Sequence, residues 1–232
     1  MMVGVGCKTD DTIYPIGPGG PGGPIGGGSN VDANTHDATD AATILHGAAC
    51  LLTDLRALRP CATTGAGGFS VHLGSQTATT VDTGTFDIAA PLATNVVWQV
   101  SGGAIRTSLM NYNAIAVIPV IASTTFSDLE LANGVLEVTG QGSIVAHVVH
   151  AGAPVAAATA TTSPNAAYAP LYDGTTATAW NQNMTGANGA VWIPGLPVGA
   201  ATLTITANAT PQLVTGIPIS DGTITFVTVE LP

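Results

Sequence analysis

Short runs of alternating apolar and polar residues constrain the fold of this chain most. The clearest run is 202–206, Thr-Leu-Thr-Ile-Thr, which places Leu203 and Ile205 on one face of a strand and threonines on the other. Comparable runs lie at 69–73, 85–88, 96–100 and 224–231. Gly, Pro, Asn and Asp separate the runs about every 8–12 residues, which is the turn spacing of β-sandwiches. We therefore predict an all-β protein.

The composition agrees with exposed β-sheet. Apolar residues make up 46% of the chain, enough for a core, but aromatic residues amount to only 5%. Ala and Val supply most of the apolar share, and small side chains each bury little area. Charged residues make up 8%, against about a quarter in an ordinary soluble protein. Thr, Ser, Asn and Gln must form the polar surface, which favours pleated sheet over long surface helices.

The charge balance argues against two classes of partner. The chain has 14 acidic and four basic residues, for a formal net charge of −10. Nucleic acid binding requires clustered cations that replace condensed counterions, and docking on anionic lipid headgroups has the same requirement. We expect neither, and we expect a membrane contact only through a lipid anchor.

Residues 1–42 are predicted to form a flexible leader. The segment 15–29 is rich in Gly and Pro, which raises chain entropy and removes backbone donors. Cys7 follows the small, uncharged residues Met-Met-Val-Gly-Val-Gly, and this start resembles the end of a bacterial lipoprotein signal. The resemblance implies lipidation of Cys7 and export to the cell envelope or outer surface. The alternative is an unmodified cysteine near the terminus.

Cys50 and Cys61 flank a short segment that ends in Arg-Pro-Cys. A disulfide between them would close a small loop, contributing about 3 kcal/mol by the chain-entropy estimate, and would indicate an oxidising compartment. Two buried free thiols are the alternative. A zinc site is not expected, because no second pair of ligands stands at finger spacing.

The chain repeats one order of features: strand, strand, Gly-centred turn, apolar strand, proline, strand. In the second half it reads Gly-Ser-Ile-Val at 142–145, Gly-Ala-Pro-Val at 152–155 and Thr-Gly-Ala-Asn-Gly-Ala-Val-Trp-Ile-Pro-Gly-Leu-Pro-Val-Gly at 185–199. This pattern resembles carboxypeptidase regulatory-like domains. The resemblance implies two tandem small Greek-key, transthyretin-like β-sandwiches, at 43–122 and 142–232, with a linker or edge strand at 123–141. Gly84 and Gly189 are predicted to need positive φ in hairpin turns.

No constellation for catalysis is recognisable. His147 and His150 have an odd separation, so on a strand they point to opposite faces and cannot share a metal. Gly-x-Ser-x-Gly and the lysine of a phosphate-binding loop are both missing, and the acids are dispersed. The segment 30–40 resembles a calcium loop, but Thr43 stands where a bidentate Glu is required. We therefore predict that the protein is not an enzyme and has no cofactor or metal.

Aromatic residues of the second half are the candidates for ligand binding. Tyr168, Tyr172 and Trp180 lie in a polar insertion, and Asn181 follows with amide groups suited to hydroxyls. Exposed rings there would make a weak carbohydrate-binding site. The alternative is that they fold back as a lid on an Ala-rich core, and Trp192 is expected to be core. The leading expectation is a surface-anchored structural or adhesion-type protein whose partner is a protein or polysaccharide at the cell surface.

Overall fold

A computed structural model describes residues 43–62, 65–91, 93, 95–112 and 117–232. The predictions for residues 1–42, which include the lipidation of Cys7 and the flexible leader, lie outside the described residues. Residues Ala41–Pro232 belong to one compact unit.

Strands dominate both halves of the described chain. The strands of the first half are β1 (Ile44–Leu52), β2 (Ser70–Leu73), β3 (Gln76–Thr79), β4 (Thr85–Ala89), β5 (Val97–Gly102), β6 (Ile105–Asn111) and β7 (Val117–Ile121). One helix, α1 (Ser123–Ala132), follows within the described residues. The strands of the second half are β8 (Gln141–His150), β9 (Ala153–Pro154), β10 (Thr159–Ser163), β11 (Leu171–Tyr172), β12 (Ala190–Pro197), β13 (Gly199–Ala207), β14 (Thr210–Ile219) and β15 (Ile224–Glu230). The predicted all-β class is confirmed.

The first half is a sandwich with a core of its own. The sheet β4-β1-β7 packs against β3-β2-β5-β6. Trp98 is fully buried between them, and the ring of Phe86 meets it edge-on at 5.8 Å between centroids. Alternate residues of β2, β4 and β5 are buried in this core, as the period-two runs predict.

The second half is a second sandwich. The sheet β10-β13-β14 packs against β11-β12-β8-β15. Leu203 and Ile205 are completely buried between these sheets, while the threonines that alternate with them are partly exposed. The pattern at 202–206 is therefore confirmed.

The two sandwiches share a sheet. Strand β15 pairs in parallel with β8 on one side and with β6 on the other. Backbone hydrogen bonds therefore run without interruption from β11 to β3. The division into domains at 43–122 and 142–232 stays a prediction, since separate cores and a shared sheet do not decide whether the halves unfold separately.

A third apolar cluster lies on the opposite face of the second half's sheet. Strand β8 sends Ile144, Ala146 and Val148 into the second sandwich's core and Val145 into this cluster, so it is buried on both faces. We call this cluster the joint. Its other members come from β1, the disulfide segment, β7, α1, the loop after α1, the segment between β11 and β12, and strands β12 and β15: Cys50, Leu52, Leu55, Ile121, Phe126, Leu129, Val135, Trp180, Ala190, Trp192, Ile224 and Phe226.

The segment 123–141 contains a helix where the sequence favoured a linker or an edge strand. Residues 123–132 form α1, and residues 135–138 are not in a strand. Phe126 and Leu129, three residues apart, are the buried residues of the helix. Arg106 of β6 donates to Glu130 at 3.1 Å and lies 5.4 Å from the Phe126 ring centroid. These contacts attach α1 to the shared sheet.

Two hairpin glycines have the conformation that the sequence predicts. Gly84 has φ +82° and Gly189 has φ +64°. A Cβ at Gly84 would lie 2.7 Å from the carbonyl oxygen of Ala49, and one at Gly189 would lie 2.5 Å from that of Val148. Glycine is therefore required at both positions for its φ and for space.

Candidate functional site

The disulfide segment, residues 50–61, leaves the end of β1 and lies against the second half. Cys50 and Cys61 form the predicted disulfide, so the alternative of two free thiols is not what the structure has. Leu55, at the middle of the segment, is 2% exposed and packs in the joint. The disulfide therefore holds a loop of the first half on the sheet of the second.

The predicted aromatic binding residues are mostly buried. Trp180 is 1% exposed and Tyr172 is 6% exposed, so neither presents a free ring face. The Trp180 ring meets that of Trp192 edge-on, with 6.1 Å between centroids, and its Nε1 donates to the carbonyl of Ala177. The Tyr172 hydroxyl accepts a hydrogen bond from the amide of Ala160 at 2.8 Å.

Tyr168 and Asn181 complete the predicted set. Tyr168 is half-buried, and its hydroxyl accepts from the amide of Leu136 at 2.9 Å; Asn181 is exposed. The exposed stacking platform that would carry sugar binding is therefore not formed by these four residues. The rings instead fill space, as the lid alternative predicts, because Ala and Val leave the cores short of bulk. Trp192 is fully buried, as expected.

Asp173 fixes the course of the insertion, residues 164–189 between β10 and β12. Its side chain is buried, and Oδ1 accepts from the amides of Gly186 and Ala190 at 2.7 and 3.0 Å. Oδ2 accepts from the amide and the side-chain Nδ2 of Asn188 at 3.0 and 3.2 Å. A buried carboxylate requires this kind of multiple hydrogen bonding. The sequence showed Asp173 only as one of the dispersed acids, so sequence reasoning missed this role.

Arg56 connects the disulfide segment with the insertion. Its Nη1 donates to the carbonyl of Gly174 at 2.8 Å, and its Nε and Nη2 donate to the carboxylate of Asp54 at 2.7–3.1 Å. Burial by itself would raise the pKa of Asp54, but the hydrogen bonds from Arg56 outweigh it and the pKa is lowered. Asp54 therefore stays ionised at neutral pH and neutralises Arg56.

His147 lies on the face of β8 that Leu55 covers. The side chain is 5% exposed, and Nε2 has no hydrogen-bond partner among the described residues. Desolvation lowers the pKa of His147 to about 4, against smaller opposing effects of the Leu55 backbone and of Asp173 and Asp54. The imidazole is therefore neutral at pH 7.

Two open cavities flank Arg56. The larger, the insertion cleft, has a volume of about 520 Å³. It is lined by Arg56, Asp173, Gly174, Thr175, Gln182, Met184, Thr185, Gly186, Ala187 and Asn188. The second, which we call the Arg59 cavity, has a volume of about 350 Å³. It is lined by Arg56, Ala57, Leu58, Arg59, His147, Val149, Gly152, Pro154, Asn188 and Thr228.

The described residues bring few chemical groups together. Among them, no three His, Cys, Asp or Glu side chains meet in a group that could hold a metal ion. The described helix is too short to cross a bilayer. His147, Asp173, Asp54 and Arg56 form one polar cluster, and three of these four are engaged in the hydrogen bonds that hold the disulfide segment and the insertion in place. Arg106, Glu130 and Glu137 form a second cluster, in which Arg106 pairs with both carboxylates.

Comparisons with solved structures give likenesses of low score. The minor pilin of the Gram-positive pathogen Streptococcus agalactiae is 13% identical, with a TM-score of 0.25, over 82% of this chain and 97% of that one. The TIE protein of Bacillus anthracis is 12% identical, with a TM-score of 0.24, over 82% of this chain and 33% of that one, so this chain spans about a third of its length. Scores of this size carry no argument about function. No protein-family model and no curated protein matches the chain.

Proposed function

We propose that the protein is a non-catalytic, exported β-sandwich protein that serves as a structural or adhesion-type module at a bacterial cell surface. One observation carries the proposal: the polar groups that the fold brings together hold its parts in place. Asp173 binds the interior of the insertion to its C-terminal end, Arg56 binds the insertion to the disulfide segment, and Arg106 binds α1 to β6. Catalysis would require at least one such group to be free of these contacts and to face a substrate.

The disulfide supports export. Cys50 and Cys61 form a disulfide. Disulfides persist in oxidising compartments and are rare in cytosolic proteins. Lipidation at Cys7 is the anchor that we propose, and it rests on the sequence resemblance alone.

We also propose that residues 142–232 are a carboxypeptidase regulatory-like sandwich. The support is the arrangement of strands, with β11, β12, β8 and β15 in one sheet and β10, β13 and β14 in the other. The Gly189 turn stands where the sequence pattern requires it. Such a domain is a scaffold, so this assignment agrees with the proposed lack of catalysis.

Fractionation of the bacterium that produces the protein tests the proposal. Wild-type protein should be recovered with the envelope, cleaved by protease added to intact cells, and blocked at Cys50 and Cys61 toward alkylation before reduction. A Cys7→Ser variant should keep its disulfide and lose both envelope retention and incorporation of an alkyne-tagged fatty acid. Cytosolic protein with both thiols alkylated would refute export. Retention of Cys7→Ser in the envelope would refute the anchor alone.

A further inference from the structure

The Arg59 cavity collects positive charge in an acidic protein. The chain has four basic residues and a net charge of −10. Arg56 and Arg59 both line this one cavity. No acidic residue belongs to the described lining, although Asp54 pairs with Arg56 from beside it. Since Asp54 neutralises Arg56, the described lining carries one uncompensated positive charge, that of Arg59.

Arg59 is the free cation of the pair. Arg56 has its guanidinium committed to Asp54 and to the carbonyl of Gly174. Arg59 is exposed and has no ion-pair partner among the described residues. Its guanidinium can therefore present a planar pair of donors to a ligand, the geometry that suits a carboxylate.

The rest of the lining suits a small organic body. Ala57, Leu58, Val149 and Pro154 give apolar walls, and a volume of about 350 Å³ falls in the range of small-molecule sites. Since the pKa of His147 is about 4, its ring adds no charge at pH 7. Because Asp54 neutralises Arg56, Arg59 supplies the electrostatic attraction.

Two polar groups remain for ligand hydroxyls. The side-chain Nδ2 of Asn188 donates to Asp173, which leaves its Oδ1 as an acceptor. Thr228 lies exposed on β15, and its hydroxyl can donate or accept. The ligand that matches this lining has a carboxylate at one end and hydroxyl groups at the other.

We propose that the Arg59 cavity binds a small hydroxylated carboxylate about the size of one sugar acid. The disulfide between Cys50 and Cys61 holds residues 56–59 in place, so the site is preorganised and binding orders little of the protein. The proposal does not depend on the proposed function, since either a structural module or a protein of another class could bear the site.

Titration of the ¹⁵N-labelled, disulfide-bonded full chain with glucuronate tests the proposal. The backbone amide signals of Ala57, Leu58 and Val149 should shift in a saturable manner, with a Kd of about 1 mM, and binding should weaken with added salt. Glucose, which lacks the carboxylate, should give no saturable shift. Cyclohexanecarboxylate, a carboxylate on a ring without hydroxyl groups, should bind more weakly than glucuronate.

Variants separate the site from general charge effects. Arg59→Ala should weaken glucuronate binding about tenfold or more, through loss of charge-assisted hydrogen bonds. Thr124→Glu, on the exposed first turn of α1 and outside the cavity lining, changes the net charge equally and should leave binding unchanged. Thr228→Val keeps the β-branched shape and should weaken glucuronate binding a few-fold while leaving cyclohexanecarboxylate binding unchanged.

Three results would overturn the proposal. One is the absence of saturable shifts with glucuronate, and a second is equal affinity for glucose. The third is equal loss of binding in Arg59→Ala and Thr124→Glu, which would reduce the effect to net charge. Equal affinity for cyclohexanecarboxylate and glucuronate would overturn the hydroxyl part, since the carboxylate alone would then be recognised.

Discussion

Replacement of Asp173 by asparagine tests the main polar contact of the insertion. The substitution preserves size and shape but replaces Oδ2 by an NH₂ group. Oδ1 can still accept from the amides of Gly186 and Ala190. The new NH₂ group faces the two donors of Asn188 that Oδ2 accepted, so both hydrogen bonds are lost. Hydrogen bonds to a charged group are worth about 1.5–3 kcal/mol each, so the free energy of unfolding should fall by at least about 3 kcal/mol.

Urea denaturation followed by tryptophan fluorescence measures this loss. With an m-value of about 2 kcal/mol/M, a loss of 3 kcal/mol lowers the midpoint by about 1.5 M. Asp128→Asn makes the same chemical change on the exposed face of α1 and should alter stability by no more than about 0.5 kcal/mol. A loss below about 1 kcal/mol in Asp173→Asn, at an unchanged m-value, would refute the role given to Asp173.

Three further predictions concern the disulfide segment and the joint. Cys50→Ala combined with Cys61→Ala should lower the free energy of unfolding by about 3 kcal/mol, because the disulfide closes a loop with a sequence separation of 11. Equal stability of this double variant and the oxidised wild type in urea would contradict the prediction. Trp180→Ala should cost about 3–5 kcal/mol, and Trp180→Phe clearly less, in the same assay; equal small losses would show that the ring is not packed as described. The imidazole of His147 binds a proton below about pH 6.5 in the unfolded state and only below about pH 4 in the folded state. The free energy of unfolding should therefore fall by about 3 kcal/mol in all as the pH is lowered through this window. In urea midpoints measured from pH 7 to 4, His147→Gln should flatten that decline.

The strands could be predicted from the sequence because inward apolar residues and outward polar residues alternate along each of them. The runs at 85–88 and 224–231 lie in β4 and β15, and the Gly84 turn has the positive φ expected of it. These features depend on neighbours along the chain. The pairing of Cys50 with Cys61 was predictable for the same reason, since only eleven positions separate the two residues.

The joint could not be predicted in this way. The sequence of β8 is that of a buried strand, but it does not show what covers each face. Leu55 and α1 cover one face, and the sheet that contains β13 covers the other. Trp180 raised the same difficulty, because an aromatic residue in a polar insertion can stack on a ligand or fill a core. Which outcome occurs depends on whether a segment distant along the chain covers the ring. The local sequence does not show which segment that is.

Helix α1 was missed although local signals were present. Phe126 and Leu129 have the i, i+3 spacing of a buried helical face, and Asn133-Gly134 ends the helix with Gly134 at φ +66°. Ser and Thr at the start, and weak amphipathicity, concealed this pattern. The helix is stabilised by tertiary packing on the joint rather than by propensity.

A low-charge chain with small side chains has few ways to bury area, and the joint is one of them. Each sandwich has a core of mostly aliphatic residues, while two of the three tryptophans, Trp180 and Trp192, lie in the joint. Strand β15 contributes hydrogen bonds to both halves, so its removal would open an edge on β6 as well as on β8. Two of the three tryptophans and the shared strand thus lie where the halves meet. A module built in this way resists separation of its halves because rupture must break the parallel ladder and expose the tryptophans together.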